Sequence, residues 1–191
     1  MTSESNRAGW WLAIGLVLLL VVVLLHFEGR RFICDCGHFA VWTSDTCSSQ
    51  TSQQVFDPYS FTHVLHGFLY FWLIALLFRR VAAGWQVCVA LIIEGAWEVF
   101  ENTRFVIEKY RTETAALGYQ GDTIVNSLGD ITCALAGFLL ARKLGLRWSL
   151  IVFVLVELVL TLWIHDSLLL QILMLAHPIG AIKSWQMCLQ P

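Results

Sequence analysis

Apolar stretches of bilayer-spanning length alternate with shorter polar segments along the chain. Five of these stretches cover approximately residues 10–25, 59–78, 81–101, 123–141 and 148–164. A membrane-spanning helix needs ~20 mostly apolar residues, so each stretch predicts one transmembrane helix. The pattern therefore predicts an all-α membrane protein in which residues 1–191 form a single transmembrane domain of about five transmembrane helices.

Two longer segments lie outside the predicted spans. Residues 27–58 are polar and hold three cysteines, which predicts a folded loop. Residues 165–191 form a tail whose apolar part, Leu168 to Ala176, is too short to cross a bilayer and predicts a C-terminal interfacial helix. A signal peptide is the competing interpretation of the first span, but residues 26–30 offer no small-residue cleavage site, which favours an uncleaved anchor.

The basic residues predict the orientation of the chain. Short segments on one side of the spans carry Arg7, Arg79, Arg80, Arg142, Lys143 and Arg147, whereas the basic residues on the other side are spread over longer segments. Because positive charge in short loops marks the cytoplasmic side, we expect a bacterial inner-membrane protein with a cytoplasmic N-terminus and a periplasmic C-terminus. The 27–58 loop and the 165–191 tail are then periplasmic.

Four cysteines lie on the predicted periplasmic side: Cys34, Cys36, Cys47 and Cys188. An even number of cysteines in an oxidising compartment predicts disulfides that fix the loop and the tail. Four cysteines permit three pairings, and the sequence does not select among them. A redox-active Cys34-Asp35-Cys36 pair is an alternative with a weaker signal.

Charged residues are few, and some of them lie within the predicted membrane-spanning segments, where a bilayer disfavours charge. The chain is 58% hydrophobic with a net charge of −2, which gives no indication of a nucleic-acid partner. A charged side chain near the bilayer centre costs roughly 2.5–3.5 kcal/mol, so such residues are functional candidates. The candidates are His63 and His66 in the second span, Glu94, Glu98 and Glu101 in the third, and Asp122, Asn126 and Asp130 at the start of and within the fourth.

The spacing of these residues places each set on one helix face, and the alternating helix directions place them at similar depths in the outer leaflet. Imidazole and carboxylate groups together suit zinc or iron, with manganese as a further possibility. We therefore predict a divalent-metal site made from His63, His66, Glu94, Glu98, Asn126 and Asp130. A metal-free proton or ion relay and a structural hydrogen-bond network are the alternatives.

The outer rim of the proposed site supplies further candidates. Glu101 and Asp122 are predicted as the catalytic acid and base, and Arg104 and Arg111 as residues that bind an anionic head group. Simpler roles are open for each: solvation at the boundary for Glu101, a helix N-cap for Asp122, an interhelical hydrogen bond for Asn126, and interfacial anchoring for the arginines. His165, Asp166 and His177 are spare acid–base candidates on the same side.

The strings HVLHGFLYF, EGAWEVFENT and YRTETAALGYQGDTIVNSLGD, within residues 59–141, resemble a proteobacterial family of multi-span integral membrane proteins. That family is known only as a domain of unknown function, so the resemblance implies an inner-membrane protein and no activity. The Gly-Asp-x3-Asn-x3-Asp ending is loosely similar to the CDP-alcohol phosphotransferase pattern, but the first half of that pattern is absent and its residues are not carried over.

These observations favour a metal-dependent integral membrane enzyme that acts at the periplasmic side on a lipid or lipid-linked substrate. Hydrolysis or group transfer, and iron-dependent oxidation, are both compatible with the residues. A metal-ion or proton transporter or channel component is an alternative, as is an accessory subunit of a larger membrane complex. A membrane-protein partner or a homo-oligomer is compatible with each of these.

Overall fold

Seven helices make up the regular structure of the described part of the chain. The computed structural model describes residues 2–187, with side chains from residue 8. The helices are α1 (Thr2–Phe27), α2 (Ser60–Leu77), α3 (Ala83–Glu101), α4 (Arg104–Glu113), α5 (Ile124–Ile164), α6 (Leu168–Ala176) and α7 (Gly180–Gln186). Within these described residues there is no β-strand, only one isolated bridge between Trp42 and Phe56. The predicted all-α fold is confirmed.

Four of the helices are long and apolar enough to cross a membrane: α1 from Ala8 onward, α2, α3 and α5. The chain is thus a membrane protein. Helix α5 is 41 residues long and is interrupted at Gly145, whose φ of 72° and ψ of 172° are not helical. A positive φ is readily adopted by glycine because it has no Cβ, so the chain changes direction at this residue.

The two halves of α5 run in opposite directions. At the start of α2, the Ser60 hydroxyl donates to Asp130 in the first half of α5, over 2.8 Å. The next residue of α2, Phe61, packs its ring edge-on against Trp163 near the end of α5. Residues near opposite ends of α5 therefore meet at one end of α2, so α5 folds back on itself. Its two halves cover the residues of the fourth and fifth predicted spans.

Helices α2 and α5 approach each other closely enough for backbone contact. A Cβ added at Gly67 would lie 2.0 Å from the carbonyl oxygen of Ala134, and one added at Gly137 would lie 2.0 Å from that of Val64. Small residues permit such close packing of membrane helices. This contact brings the polar face of α2 against the first half of α5.

The predicted short basic segments share one end of the bundle. Trp10 of α1 covers Gly84 at the start of α3 there, and Arg142 donates to the side chain of Gln86 over 2.9 Å. The other end holds the longer segments. There the Lys183 ammonium donates to the Thr112 carbonyl, and the Arg30 guanidinium donates to that of Gln120.

The loop between α1 and α2 contains cysteines that were predicted to form disulfides. Cys34 and Cys36 form a disulfide, with Cα atoms 5.2 Å apart. Cys47 is also in a disulfide, while Cys188 lies outside the described residues. Of the cysteines in the described part, Cys88 and Cys133 are free. The disulfide-containing loop is therefore confirmed.

Helix α4 lies within residues 102–121, where hydropathy alone indicates no helix. Only one face of α4 is buried, through Val106, Ile107 and Tyr110. The Thr103 hydroxyl caps its N-terminus by accepting the N–H of Val106. Because the rest of α4 is polar, an apolar stretch of spanning length cannot reveal it.

Candidate metal centre

His63 of α2 lies among three carboxylates from two other helices. Its Nδ1 is 2.7 Å from an oxygen of Glu94 and 3.3 Å from an oxygen of Glu98, both on α3. Its Nε2 is 3.9 Å from Asp130 on α5. All four side chains are buried, the two glutamates completely. One imidazole thus links the polar faces of three helices.

Glu94 is fully hydrogen-bonded. Besides His63, the Nδ1 of His66 lies 3.2 Å from its Oε2, and the Tyr70 hydroxyl donates to that same oxygen over 2.5 Å. All three partners come from one face of α2, since residues three and four apart on a helix are neighbours. These contacts fix the orientation of the Glu94 carboxylate.

Glu98 is placed differently, although it is one turn from Glu94. Neither of its carboxyl oxygens has a hydrogen-bond partner among the described residues, and its side chain is fully buried. The contact with His63 does not satisfy it, because Nδ1 carries at most one proton and lies closer to Glu94, at 2.7 Å, than to Glu98, at 3.3 Å. An unpaired buried carboxylate is costly, so this position favours a cation.

The surroundings supply no cationic side chain for these acids. Among the described residues, the ion-pair partners of Glu94, Glu98 and Asp130 are His63 and His66, with no lysine or arginine. Three carboxylates in an apolar interior therefore depend on two imidazoles, on protons or on a bound cation for neutralisation.

Among the residues that the structure describes, two groups of side chains offer ligand atoms close enough to share one ion. His63, His66 and Glu94 form one group, and His63, Glu98 and Glu101 form the other, with the atoms of each group within 4.8 Å of one another. Mixed imidazole and carboxylate ligands suit zinc, iron and manganese. The structure thus brings together five of the residues singled out from the sequence.

Asp130 and Asn126 lie beside these groups. Asp130 accepts the Ser60 hydroxyl and faces His63 at 3.9 Å. Asn126 is buried in the first turn of α5, where its amide donates to the Val55 carbonyl over 3.5 Å.

Asp122 is buried at the outer rim and held by its neighbours. The amide of Asn102 donates to one carboxylate oxygen over 2.8 Å, and the Tyr119 hydroxyl donates to the other over 3.0 Å. Burial raises the pKa of Asp122 above its ordinary value, while these two hydrogen bonds oppose the increase. The N-cap of α5 is Thr123, whose hydroxyl accepts the N–H of Asn126, so capping does not account for Asp122.

The remaining rim candidates lie on or beside α4. Glu101 lies next to Tyr110, and the pKa of that phenol is raised well above its ordinary value by burial and then by the Glu101 charge. Arg104 is exposed. The Nε of Arg111 donates to the Tyr119 carbonyl, which orders the loop over the rim.

Of the spare candidates in the tail, only Asp166 makes polar side-chain contacts within the described residues. The Gln186 amide donates to it over 2.8 Å. Burial raises its pKa to about 6. His165 stacks on Trp185, and His177 is exposed.

Sequence reasoning missed four polar residues near these sites, of which all but Tyr70 are buried. Tyr70 is one turn beyond His66, and Asn102 is one turn beyond Glu98, so the same helix spacing indicates both. Glu157 is a buried acid within the fifth span. A charged residue inside a predicted span is a functional candidate, and this criterion applies to Glu157 as it does to Glu94. Ser60 precedes the first histidine by three residues, a position that carries no distinct signal.

Comparison with known proteins places the chain among bacterial relatives. Residues 25–188 match the family described as "Protein of unknown function (DUF2585)". A UPF0314 protein of Sphingopyxis alaskensis is 40% identical over 97% of this chain and 98% of its own length. UPF0314 proteins of Brucella anthropi and Paracoccus denitrificans are 37% and 39% identical, and each alignment covers 95% or more of both chains.

No solved structure matches the chain significantly. The family match covers most of the sequence, and the relatives align over nearly their whole length. The predicted resemblance is therefore confirmed, and this bacterial membrane protein belongs to the DUF2585 family.

Proposed function

We propose that this protein is a metal-dependent enzyme of the bacterial inner membrane that acts at the periplasmic side on a lipid or lipid-linked substrate. The metal is held by His63, His66, Glu94 and Glu98, with Asp130 beside them. The observation that carries this proposal is the fully buried Glu98 carboxylate, which has no hydrogen-bond partner among the described residues and lies 3.3 Å from His63.

A bound divalent cation accounts for the cost of this arrangement. It would neutralise carboxylates that are otherwise expensive inside a membrane, and it would give the Glu98 oxygens the partner that they lack. It would also give a role to the Tyr70 hydroxyl, since a hydrogen bond to a ligand fixes the geometry of that ligand for a metal.

The chemistry follows from the residues around the metal. A bound zinc would activate water or polarise a phosphoryl or acyl oxygen, which leads to hydrolysis or group transfer. Iron in a His/Glu site between bundled helices would lead instead to oxidation. Glu101 and Asp122 at the rim serve as acid and base, and Arg104 and Arg111 lie on the same side for an anionic head group.

The distribution of basic residues supports the orientation. Short segments with Arg79, Arg80, Arg142 and Lys143 share one end of the bundle, and the positive-inside rule places that end in the cytoplasm. The metal residues lie toward the opposite end, where Asp122 and α4 form the rim. The substrate therefore comes from the periplasmic leaflet.

Transport of a metal ion or proton is less well supported. A conduit needs polar groups across the whole bilayer, yet Ile74, Ala90 and Phe138 form a buried apolar cluster between α2, α3 and α5 on the other side of the polar residues. The residues of the candidate metal centre lie on one side of this cluster, which favours a reaction site over a path.

Metal analysis of detergent-purified protein tests the proposal. We expect about one or two equivalents of zinc, iron or manganese in the wild type and at least a tenfold loss in the His63→Ala/Glu98→Ala variant. The matched control is His177→Ala/Glu108→Ala, which removes an exposed histidine and an exposed glutamate. Circular dichroism establishes that each variant keeps its helices.

Two results would contradict the proposal. One is wild-type protein without stoichiometric metal even after incubation with each of the three ions. The other is equal metal content in the site variant and the control variant. Retention of a stable protein partner in the first case would favour the accessory-subunit alternative.

A further inference from the structure

A groove of about 470 Å³ opens on the side of the helix bundle. Helices α2, α3 and α6 form its walls, and Tyr110 of α4 contributes to its lining. Its surface is mostly apolar, and the principal apolar residues are Leu69, Ile93, Ala96, Phe100, Ile172 and Leu175. The volume lies within the range of ~300–1,000 Å³ that is typical of ligand pockets.

The groove is continuous with the candidate metal centre. His66 and Tyr70 line it, and both also contact the carboxylate of Glu94. An occupant of the groove therefore lies directly beside the residues proposed to hold the metal. The other side of the groove is formed by residues of α6, among them the exposed Ile172.

The groove also contains an unpartnered donor. The indole Nε1 of Trp97 is buried, and the part of the chain that the structure describes offers it no acceptor. Indole can only donate a hydrogen bond, and Tyr and Trp usually find a partner when buried. An oxygen atom on a bound molecule would satisfy it once the indole turns toward the groove, because the Nε1 itself has no exposed surface.

The dimensions of the groove restrict its occupant. Along α3 the lining runs from Ile93 to Phe100, which is ~10 Å at 1.5 Å per residue. One leaflet of the hydrocarbon core is ~15 Å thick, half of ~30 Å. Helix α6, with nine residues, is too short to cross the bilayer. The groove thus suits a hydrocarbon chain that stays within one leaflet.

We propose that this groove binds one acyl chain of a phospholipid from the periplasmic leaflet, which enters from the side and passes His66. The chain runs inward along Ile93 and Leu69, an ester oxygen accepts the Trp97 N–H, and the head group lies toward Tyr110. This inference rests on the proposed function, because it names the substrate class of the same metal centre.

Photo-cross-linking tests this assignment in purified full-length protein. The probe is a phosphatidylglycerol with a diazirine on one acyl chain, present at trace level in vesicles of phosphatidylethanolamine and phosphatidylglycerol. We expect the labelled peptides to come mainly from residues 93–100 and 168–175. Ala96→Trp should fill the groove and reduce this labelling at least fivefold.

Ala136→Trp is the matched control, since Ala136 is also an exposed alanine of a membrane helix but does not line the groove. It should leave the labelling of both segments unchanged. Labelling spread evenly over the lipid-facing helices, or equal labelling of the two variants, would overturn the assignment. So would preferential labelling by a diazirine-bearing polyprenyl phosphate in the same vesicles.

Metal content separates this inference from the proposed function. Ala96→Trp should retain the wild-type metal content, because Ala96 supplies no ligand. Groove-specific labelling of a protein that holds no metal would overturn the metal-dependent function and leave the lipid site standing. Full metal content with no groove-specific labelling would overturn the lipid site alone.

Discussion

Two glutamates one turn apart on α3 have opposite environments. Glu94 is held by His63, His66 and Tyr70, whereas the oxygens of Glu98 have no hydrogen-bond partner among the described residues. A metal site needs ligands whose orientation is fixed by hydrogen bonds and ligands that are free to bind the ion. Glu94 fits the first description and Glu98 fits the second. Substitution of Glu94 and substitution of Glu98 should therefore have different effects.

Removal of the Tyr70 hydroxyl tests the role of orientation. Tyr70→Phe deletes the donor to Glu94 without removing any ligand. Loss of such an outer hydrogen bond typically lowers metal affinity ~10–100-fold, so the variant should lose metal to a chelator at concentrations that leave the wild type loaded. At saturating metal it should still bind the wild-type number of ions.

The control for this experiment is Tyr119→Phe. Tyr119 donates to Asp122 at the rim rather than to Glu94, so its chelator titration should match that of the wild type. Equal chelator sensitivity of the wild type and Tyr70→Phe would show that this hydroxyl does not position a metal ligand.

At the residue level, helix spacing predicts much of the site. His63, His66, Glu94 and Glu98 share their helix faces at intervals of three and four residues, and the structure brings them together. Tyr70 has the same spacing but is an ordinary residue for a membrane helix, so its type gave no reason to select it. The spacing of residues along a helix does not determine which carboxylate lacks a hydrogen-bond partner, because that depends on how the side chains are placed.

The close contact between α2 and α5 positions the elements that carry the site. Gly67 faces the carbonyl of Ala134, and Gly137 faces that of Val64, at distances that leave no space for a side chain. Asp130 lies on α5 within two turns of this contact and reaches His63 because the helices approach so closely. Separation of the helices would therefore disturb the site from a distance.

Gly67→Ala tests this coupling between packing and site. Its Cβ would lie 2.0 Å from a backbone oxygen, so the helices must separate. Overpacking of this kind costs ~1–3 kcal/mol, and we expect a lower melting temperature in detergent together with reduced metal content. Gly15→Ala in α1 is the control, because nothing lies within 4 Å of its Cβ. A Gly67→Ala variant as stable and as metal-loaded as Gly15→Ala would contradict this account.

At the level of elements, the sequence predicts the long apolar helices, which hydropathy detects, but not the short polar ones. The spans at 59–78 and 81–101 agree with α2 and α3 to within a few residues, because their apolar runs are bounded by polar or basic residues. The predicted fourth and fifth spans fall on the two halves of α5, because residues 142–147 interrupt the apolar pattern around Gly145. Helix α4 was not predicted, because its burial depends on the tertiary contacts of Tyr110.

For the whole molecule, the tail is connected to the bundle through Asp166. This residue follows α5 and accepts hydrogen bonds from the amide of Gln186 in α7 and from the hydroxyl of Tyr59, which directly precedes α2. Burial raises its pKa from 3.8 to about 6, although its hydrogen bonds oppose the increase. A carboxyl group with a raised pKa in the folded state binds a proton more tightly there than in the unfolded chain.

Stability should therefore fall as pH rises from about 4 to about 6. The contribution of the protonated Asp166 is complete below the unfolded pKa and is lost as pH passes the folded pKa, by at most ~3 kcal/mol for a shift of this size. Thermal unfolding of Asp166→Asn should show a smaller decrease over this range than the wild type. Some decrease should remain, because burial also raises the pKa values of Asp57 and Asp122.

The exposed Asp45 supplies the comparison for this measurement. Asp45→Asn should keep the wild-type dependence of melting temperature on pH. A wild-type protein whose stability rises between pH 4 and 6, or an Asp166→Asn variant with the wild-type profile, would show that Asp166 does not titrate in this way.

The orientation of the whole molecule determines which leaflet can supply the substrate. The positive-inside rule predicts that the end with Arg79, Arg80 and Arg142 is cytoplasmic, and the segments around Gln120 are then periplasmic. A membrane-impermeant maleimide on intact spheroplasts should label Gln120→Cys and spare Ala82→Cys, both of which are exposed positions. After permeabilisation both should react, and the unsubstituted protein gives the background from Cys88 and Cys133. Labelling of Ala82→Cys alone in intact spheroplasts would reverse the orientation, and the metal centre would then face lipids of the cytoplasmic leaflet.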